Sequence, residues 1–338
     1  MDNILDIFND DAFGVIPLTQ SINMVPNMYG RVNQLGIFQR PGGVYAPQVA
    51  IEIDQGVLSL LPTSQRGAPA PMNQGGKRKI KSFHIPHIIV GDRITADDVS
   101  GVRAFGSGSQ LETITGLVAR RQTTLASKQF ITYEFLLCGA LKGVLEDAEG
   151  GTIYNWYTEF GITAKTVAFV LSNPETNVAA KCKTVSRHIE DNLMGDTMTR
   201  VHCLCGENFF DDLVNHAAVK EAYAFQQGLN PMRNDLRRGF EFQGIMFEEY
   251  RGQAADPEGT VRRFIGADEA RFFPIGTQQT FATYDAPADY METVNTEGLP
   301  LYSKIARDPG FNRYVELESQ SNPLPICLRP AVLVKGTK

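Results

Sequence analysis

No stretch of this chain approaches the roughly 18 consecutive apolar residues that a membrane-spanning helix requires. The first residues, Met1-Asp2-Asn3-Ile4-Leu5-Asp6, are acidic where a secretory signal would carry a basic start and then an apolar core. The expectation is therefore a protein made and used in a cytoplasm. Cysteine is sparse and odd in number: Cys138, Cys182, Cys203, Cys205 and Cys327 are scattered, which argues against a disulfide framework. A basic excess is also missing, since the formal net charge is −6. Domains that read nucleic acid usually carry a basic excess or stripe. Here there is only the short cluster Lys77, Arg78, Lys79, Lys81, so sequence-specific DNA reading is not expected. Catalytic signatures are lacking too. No serine sits in Gly-x-Ser-x-Gly, and no segment matches Gly-x4-Gly-Lys-Ser/Thr.

What is present is a long extended arm followed by a long helix. Residues Tyr45 to Leu61 and Lys77 to Val90 read as two strands. Val49, Ile51 and Ile53 alternate with Ala50, Glu52 and Asp54, and Ile80, Ser82 and His84 alternate with Lys81, Phe83 and Ile85, the period of a strand. The tip, Pro62 to Gly76, consists largely of Pro, Gly, Gln, Ser and Ala, with the single basic residue Arg66. An isolated two-stranded hairpin is marginal in water. A projecting one implies a partner surface, most simply another copy of the chain. With 338 residues, 31 of them Gly and 18 Pro, the chain suits about two domains, or one body with extended segments.

The long helix is expected over about 109–148, opened by Ser109 with Glu112 as a capping box and closed before Gly150-Gly151. Leu111, Ile114, Val118 and Leu125, then Tyr133, Leu137, Ala140, Leu141 and Val144, form its apolar stripe. Gly116, Gly139 and Gly143 weaken it or allow close packing. Before it, Gly91-Asp92 reads as a turn and Thr95 to Val99 as a short capped helix. Residues 1–44 show no sustained period and read as an extended arm, with a short amphipathic turn at Ile4 to Phe13. After the helix, Gly151 to Tyr157 reads as a strand, 164–196 as partly helical, Thr199 to Cys205 as a buried strand and Glu207 to Gln227 as a helix. Gly239 to Tyr250 reads as a strand or hairpin around Gln243-Gly244, and Arg262 to Pro274 and Phe281 to Asp285 as short strands. Near the end, Tyr302 to Ala306, Tyr314 to Gln320 and Ile326 to Lys335 read as extended segments, separated by Pro309-Gly310 and Pro323 to Pro325.

Candidate chemistry is thin. His202-Cys203-Leu204-Cys205 places two thiols on one face of a strand, but zinc wants four ligands and no second pair is near in sequence. Buried structural thiols are the better reading. His84 and His87 straddle Pro86 on an extended segment, and His188 and His216 fall on predicted helices beside solvated carboxylates. No metal, no cofactor and no catalysis are expected. Lys77, Arg78, Lys79 and Lys81, at the base of the arm, are expected to meet an acidic neighbouring subunit, which favours correct docking over raw affinity.

The order of segments resembles a known family. It runs from an extended arm and a long hairpin to Ile88-Ile89-Val90-Gly91-Asp92-Arg93-Ile94-Thr95-Ala96-Asp97-Asp98 and a long helix. A mixed insert follows, then Arg307-Asp308-Pro309, and finally Ser321-Asn322-Pro323-Leu324-Pro325-Ile326 before an apolar strand. This is similar to the tailed-phage major capsid protein E family, that of the phage lambda head protein. The likeness covers nearly the whole chain and is strongest at 45–150 and 300–335; over 185–295 it lies in layout alone.

The resemblance implies an α+β, Hong Kong 97-type capsid fold. It implies an N-terminal arm at 1–44, an extended loop at 45–90, a peripheral domain at 91–185 and 301–338 that contains the spine helix, and an axial domain at 186–300. It implies a shell protein of a tailed double-stranded DNA phage, self-assembling through hexamers and pentamers into an icosahedral head. Scaffolding, decoration and portal proteins would be further partners, and packaged DNA would lie nearby without specific binding. A mildly acidic surface suits such a container. No scaffolding domain is expected to be fused to the chain. Interface candidates are Arg66, Lys77, Arg78, Lys79 and Lys81, and hinge candidates are Gly116 and Gly139. The alternatives are a nanocompartment shell of the same fold enclosing a cargo enzyme, and a metal-dependent enzyme using His202, Cys203 and Cys205.

Overall fold

A computed structural model describes residues 13–24, 30–54, 78–100, 110–227, 239–256 and 258–338. The expected tip at 62–76, the turn at Ile4 to Phe13 (all but its last residue) and the capping box at Ser109 lie outside the described residues or side chains. In chain order the strands are β1 Gln48–Asp54, β2 Arg78–His84, β3 Ile88–Thr95, β4 Val144–Glu146, β5 Thr152–Asn155 and β6 Lys165–Ala168. Next come β7 Arg200–Cys205, β8 Phe240–Phe242, β9 Ile245–Glu249, β10 Gln253–Ala255, β11 Val261–Arg263 and β12 Glu269–Ile275. The last are β13 Phe281–Asp285, β14 Tyr302–Arg307, β15 Tyr314–Ser321, β16 Pro323–Cys327 and β17 Val334–Thr337.

The long helix, Gln110–Lys142, has 33 residues, about 50 Å at 1.5 Å per residue. Ile114, Val118, Leu125, Leu137, Ala140 and Leu141 are buried along it, as the stripe predicts. It ends earlier than the expected 148. Gly143 takes a left-handed φ of 79°, a side chain there would collide with the Tyr157 ring, and its carbonyl accepts from the Trp156 amide at 2.9 Å. The chain then turns back as β4, which pairs with β5. Gly139 lies under this return: a Cβ there would come 3.0 Å from the Val144 carbonyl.

A mixed six-stranded sheet forms the main core, in the order β6-β17-β12-β7-β9-β8. Phe169, Phe209, Phe247 and Phe272 fill it, with Cys203 and Cys205 wholly buried. Helices Val178–Asn192 and Glu207–Asn215 contribute Val185, Ile189, Phe209 and Leu213 to the same core. The sheet takes strands from 165–168 and 334–337 as well as from 200–275, so distant parts of the sequence share one layer. The hairpin around Gln243-Gly244 is β8–β9, with φ of 52° and 77° at the two turn residues, the backbone of a type I′ turn.

Several local expectations give way to tertiary pairing. Gly91-Asp92 is not a turn: both residues lie inside β3, opposite Glu318 and Leu317 of β15. The expected strand to Tyr157 stops at Asn155, whose side chain accepts from the Tyr157 and Thr158 amides and caps the short helix Trp156–Phe160. The helix expected over Glu207 to Gln227 is two, Glu207–Asn215 and Ala217–Gln227, with His216 extended between them. Pro323 and Pro325 do not separate strands but sit within β16. Leu328 donates to Thr280 and Asn322 accepts from Ala286, so the even-numbered residues face β13 and both prolines face away from the ladder. Ile326 to Lys335 is not one strand, because a 3-10 turn at Pro330–Val332 divides it. Nor is the first segment wholly extended. Val15–Asn23 is a helix, with Pro17 in its first turn, where an amide has no helical partner anyway.

Candidate functional site

The hairpin is the element the sequence puts forward, and the structure shows how its base is held. β1 and β2 pair from Gln48↔His84 to Asp54↔Arg78. Alternation sends Val49, Ile51 and Phe83 to one face, where they pack with Trp156, Leu324 and Ile326. Phe83 meets Tyr154 and Trp156 edge-on, both at 5.4 Å between ring centroids, and Tyr154 stacks on Trp156 at 5.1 Å. The Tyr154 hydroxyl accepts from the His84 amide at 2.8 Å and donates to the His84 carbonyl at 3.0 Å. The other face is open: Ala50, Ser82 and His84 are exposed, and Ile80 is 71% exposed.

The basic cluster divides. Lys81 turns back to its own chain, donating to Glu159 Oε2 at 2.9 Å and to the Glu159 carbonyl. Arg78 and Lys79 occupy β2 opposite Asp54 and Ile53. Arg66 and Lys77 lie outside the described residues. Beside the hairpin base an open, mainly apolar groove is lined by Ile51, Phe160, Ile162, Met194, Tyr284 and Leu328. Gly116 has open space where a Cβ would stand, whereas Gly139 is tightly packed.

Sequence reasoning missed the polar residues by which the long helix gathers other segments. Gln122 accepts from Ser21 and donates to the Leu18 carbonyl and to Ser303. Gln129 donates to the Ser319 carbonyl at 3.2 Å. Glu134 accepts from the amides of Val32 and Asn33 at 2.8 and 3.1 Å and from the Tyr250 hydroxyl at 3.0 Å. Burial pushes its carboxyl above the ordinary range against those donors. Three buried polar residues in an apolar stripe were the available signal, since such groups demand partners.

Residues 30–44 are thereby bonded to the body. Arg31 donates twice to Glu248, at 2.6 and 3.1 Å. Glu248 also lies 3.3 Å from His202. Burial opposes the Glu248 charge, but His202 and Arg31 outweigh it and hold the carboxyl below its ordinary value. Gln39 bonds the backbone of β13 on both sides, through Phe281 and Thr283. Arg40 donates to Asp285 at 2.6 Å and lies 5.0 Å over the Tyr133 ring. Burial pushes the Asp285 carboxyl up to about 6, with Arg40 pulling the other way.

Among the described residues, no cluster of three or more His, Cys, Asp and Glu side chains is arranged to hold a metal. Cys203 and Cys205 lie with their sulfurs 3.4 Å apart, and burial pushes the Cys203 thiol well up, away from the thiolate that binds metal. The chain is a body with bonded extensions and one hairpin face left open.

The fold is similar to that of a prophage protein of E. coli CFT073 described as a capsid protein. The TM-score is 0.51 at 15% identity, over 78% of this chain and 79% of that one. This defines the class: an α+β capsid fold of the Hong Kong 97 type. Sequence narrows it further. Residues 15–338 match the family Phage major capsid protein E. The chain is 33% identical over 343 residues to the major capsid protein of Pseudomonas phage KPP10, covering 96% of each. It is 28% identical over 355 residues to that of Salmonella phage Felix O1, isolate Felix O1-VT1, covering 95% of each. The chain belongs to the phage major capsid protein E family. Its role is structural, that of a major capsid protein of tailed phages in the virion capsid, and its homologues are not enzymes. Neither the nanocompartment nor the metal-enzyme alternative is favoured.

Proposed function

We propose that many copies of this chain close into an icosahedral shell of hexamers and pentamers around packaged double-stranded DNA, assembling in the host cytoplasm. Residues 1–44 serve as the arm and 45–90 as the extended loop that reaches a neighbouring subunit. Residues 91–185 with 301–338 form the peripheral domain around the long helix, and 186–300 form the axial domain, with the six-stranded sheet shared between the two. Scaffolding, decoration and portal proteins are its further partners. Arg66, Lys77, Arg78 and Lys79 meet acidic groups of a neighbour, while Lys81 braces the loop base through Glu159. Gly116, with open space around it, is the place where the long helix bends between shell states, and Gly139 tightens the far end.

The observation that carries this reading is the asymmetry of the hairpin base. One face packs on Trp156 and Tyr154, with Ile51 at the edge of an open apolar groove, and the other shows Ile80 to solvent. Main-chain pairing and apolar contact with another subunit complete such an element. Electron microscopy of the protein expressed alone, after size-exclusion chromatography, tests it. Shells, tubes or capsomer rings are expected, and a purely monomeric 37 kDa species at high concentration would refute it.

A further inference from the structure

Phe311 stands in the turn between β14 and β15 and is 79% exposed. The turn that carries it is tightly built. Asp308 accepts from the amides of Gly310, Phe311 and Arg313 at 3.0, 3.3 and 3.2 Å. Its own amide donates to the Tyr314 carbonyl at 3.1 Å, and Asn312 takes a left-handed φ of 53°. The Arg313 guanidinium lies 4.8 Å from the Phe311 ring centroid. On the flank of the same hairpin, Arg93 lies 4.6 Å over the Tyr314 ring and pairs with Glu316 at 2.9 Å. The Phe311 ring, backed by a guanidinium, is thus presented on a loop whose shape is fixed before any partner arrives, and the half-buried Tyr314 ring at the start of β15 has a guanidinium over it as well.

Aromatic and arginine side chains dominate the buried centres of protein interfaces. A loop already held in one conformation loses little freedom on docking. We propose that the Phe311 loop is an anchor that seats in a second copy of this chain, with the Phe311 ring desolvated against an apolar recess and Arg313 and Arg93 at its rim. A second copy is the occupant because the chain's role is to build a shell, where each subunit is surrounded chiefly by its own kind. The flank also carries both signs of charge, Arg93 and Arg313 beside Glu316, as a surface meeting its own protein can use. The proposal rests on the self-assembly reading and adds to it a named contact.

The test compares the wild-type chain with Phe311→Ser, Phe311→Tyr and Asp308→Ala in the concentration needed to form shells, read by sedimentation and electron microscopy. Thermal melting of the unassembled chains reports folding separately. Phe311→Ser is expected to raise the required concentration roughly tenfold or more, with melting unchanged. Asp308→Ala is expected to do so less strongly, and Phe311→Tyr to restore most of the loss. A photocrosslinking residue at 311 is expected to capture another copy of the chain in assembled shells. Shell formation by Phe311→Ser at the wild-type concentration, or crosslinking at 311 only to a different added protein, would overturn the anchor. If the wild-type chain never assembles, the shell reading falls, and the anchor with it.

Discussion

Glu134, in the middle of the long helix, caps a different helix that begins 103 residues earlier at Arg31. Gly30 has no side chain to offer the amides of Val32 and Asn33, and Glu134 accepts from both. Gly30 has a φ of 101°, and a Cβ there would run into the Glu134 carboxylate, so glycine and glutamate require one another. The tie fixes the start of the helix Arg31–Gln34 against the long helix.

Removing the acceptor leaves two amides and the Tyr250 hydroxyl without it in a buried site. Glu134→Ala is expected to cost about 2–5 kcal/mol, and Gly30→Ala to be destabilising through the same contact. Urea unfolding of the unassembled chain would show it. Unchanged stability in Glu134→Ala would mean that water satisfies these groups.

The hairpin base makes a second prediction. Trp156 is fully buried between Phe83, Tyr154 and Phe160. Phe83→Ala is expected to cost about 3–5 kcal/mol and to increase protease cleavage within 45–90. Equal cleavage of mutant and wild type would show that the base is held by its backbone bonds instead.

Asp285 gives a pH signature. Its folded pKa of about 6 lies above the ordinary 3.8 because burial opposes its charge. The native state therefore holds a proton between those values that the unfolded chain has released. The resulting stability is fully present below about pH 4 and is lost as pH rises through about 6, on the order of 1–3 kcal/mol. Asp285→Asn should flatten that part of the stability profile. The same slope in both proteins would remove Asp285 as its source.

Glu269 behaves in the opposite sense. Burial opposes its charge, but Arg271 at 2.8 Å and Lys335 at 2.9 Å, with the Gly266 amide, hold its carboxyl down to about 2. Its contribution is present above about pH 4.5 and is lost as pH falls through about 2. With solvent screening on the Lys335 side, Glu269→Gln is expected to cost about 1–2 kcal/mol at neutral pH. Denaturant midpoints should converge with wild type near pH 2.

The two helix glycines should separate. Gly116→Ala, with nothing within 4 Å of the added methyl, is expected to stabilise the subunit by up to about 1 kcal/mol and to hinder the change between shell states. Gly139→Ala should destabilise the subunit itself, because the methyl meets the Val144 carbonyl at 3.0 Å. Normal shell maturation of Gly116→Ala, followed by electron microscopy, would dismiss the bend at that position.

The sequence by itself determined the elements whose signal is local and periodic. The alternation of Val49 and Ile51, the apolar stripe from Ile114 to Leu141, the Gln243-Gly244 turn and the buried run at Val201 to Cys205 all appear where their patterns place them. Each depends on residues close in sequence, so a window of the chain suffices to read it. The order of those elements was also enough to point to the family. The tertiary structure alone decided what depends on partners far away. Gly91-Asp92 extends because β15 offers it a ladder, and Pro323 and Pro325 enter a strand because only its even-numbered residues face β13. The long helix stops at Lys142 because Gly143 turns left-handed, at a φ of 79°, under the Tyr157 ring, and Lys81 pairs within its own chain because the helix Trp156–Phe160 brings Glu159 within reach. Hydrogen bonds and close packing act through space, and the spacing of residues along the chain carries no record of which distant group will arrive there.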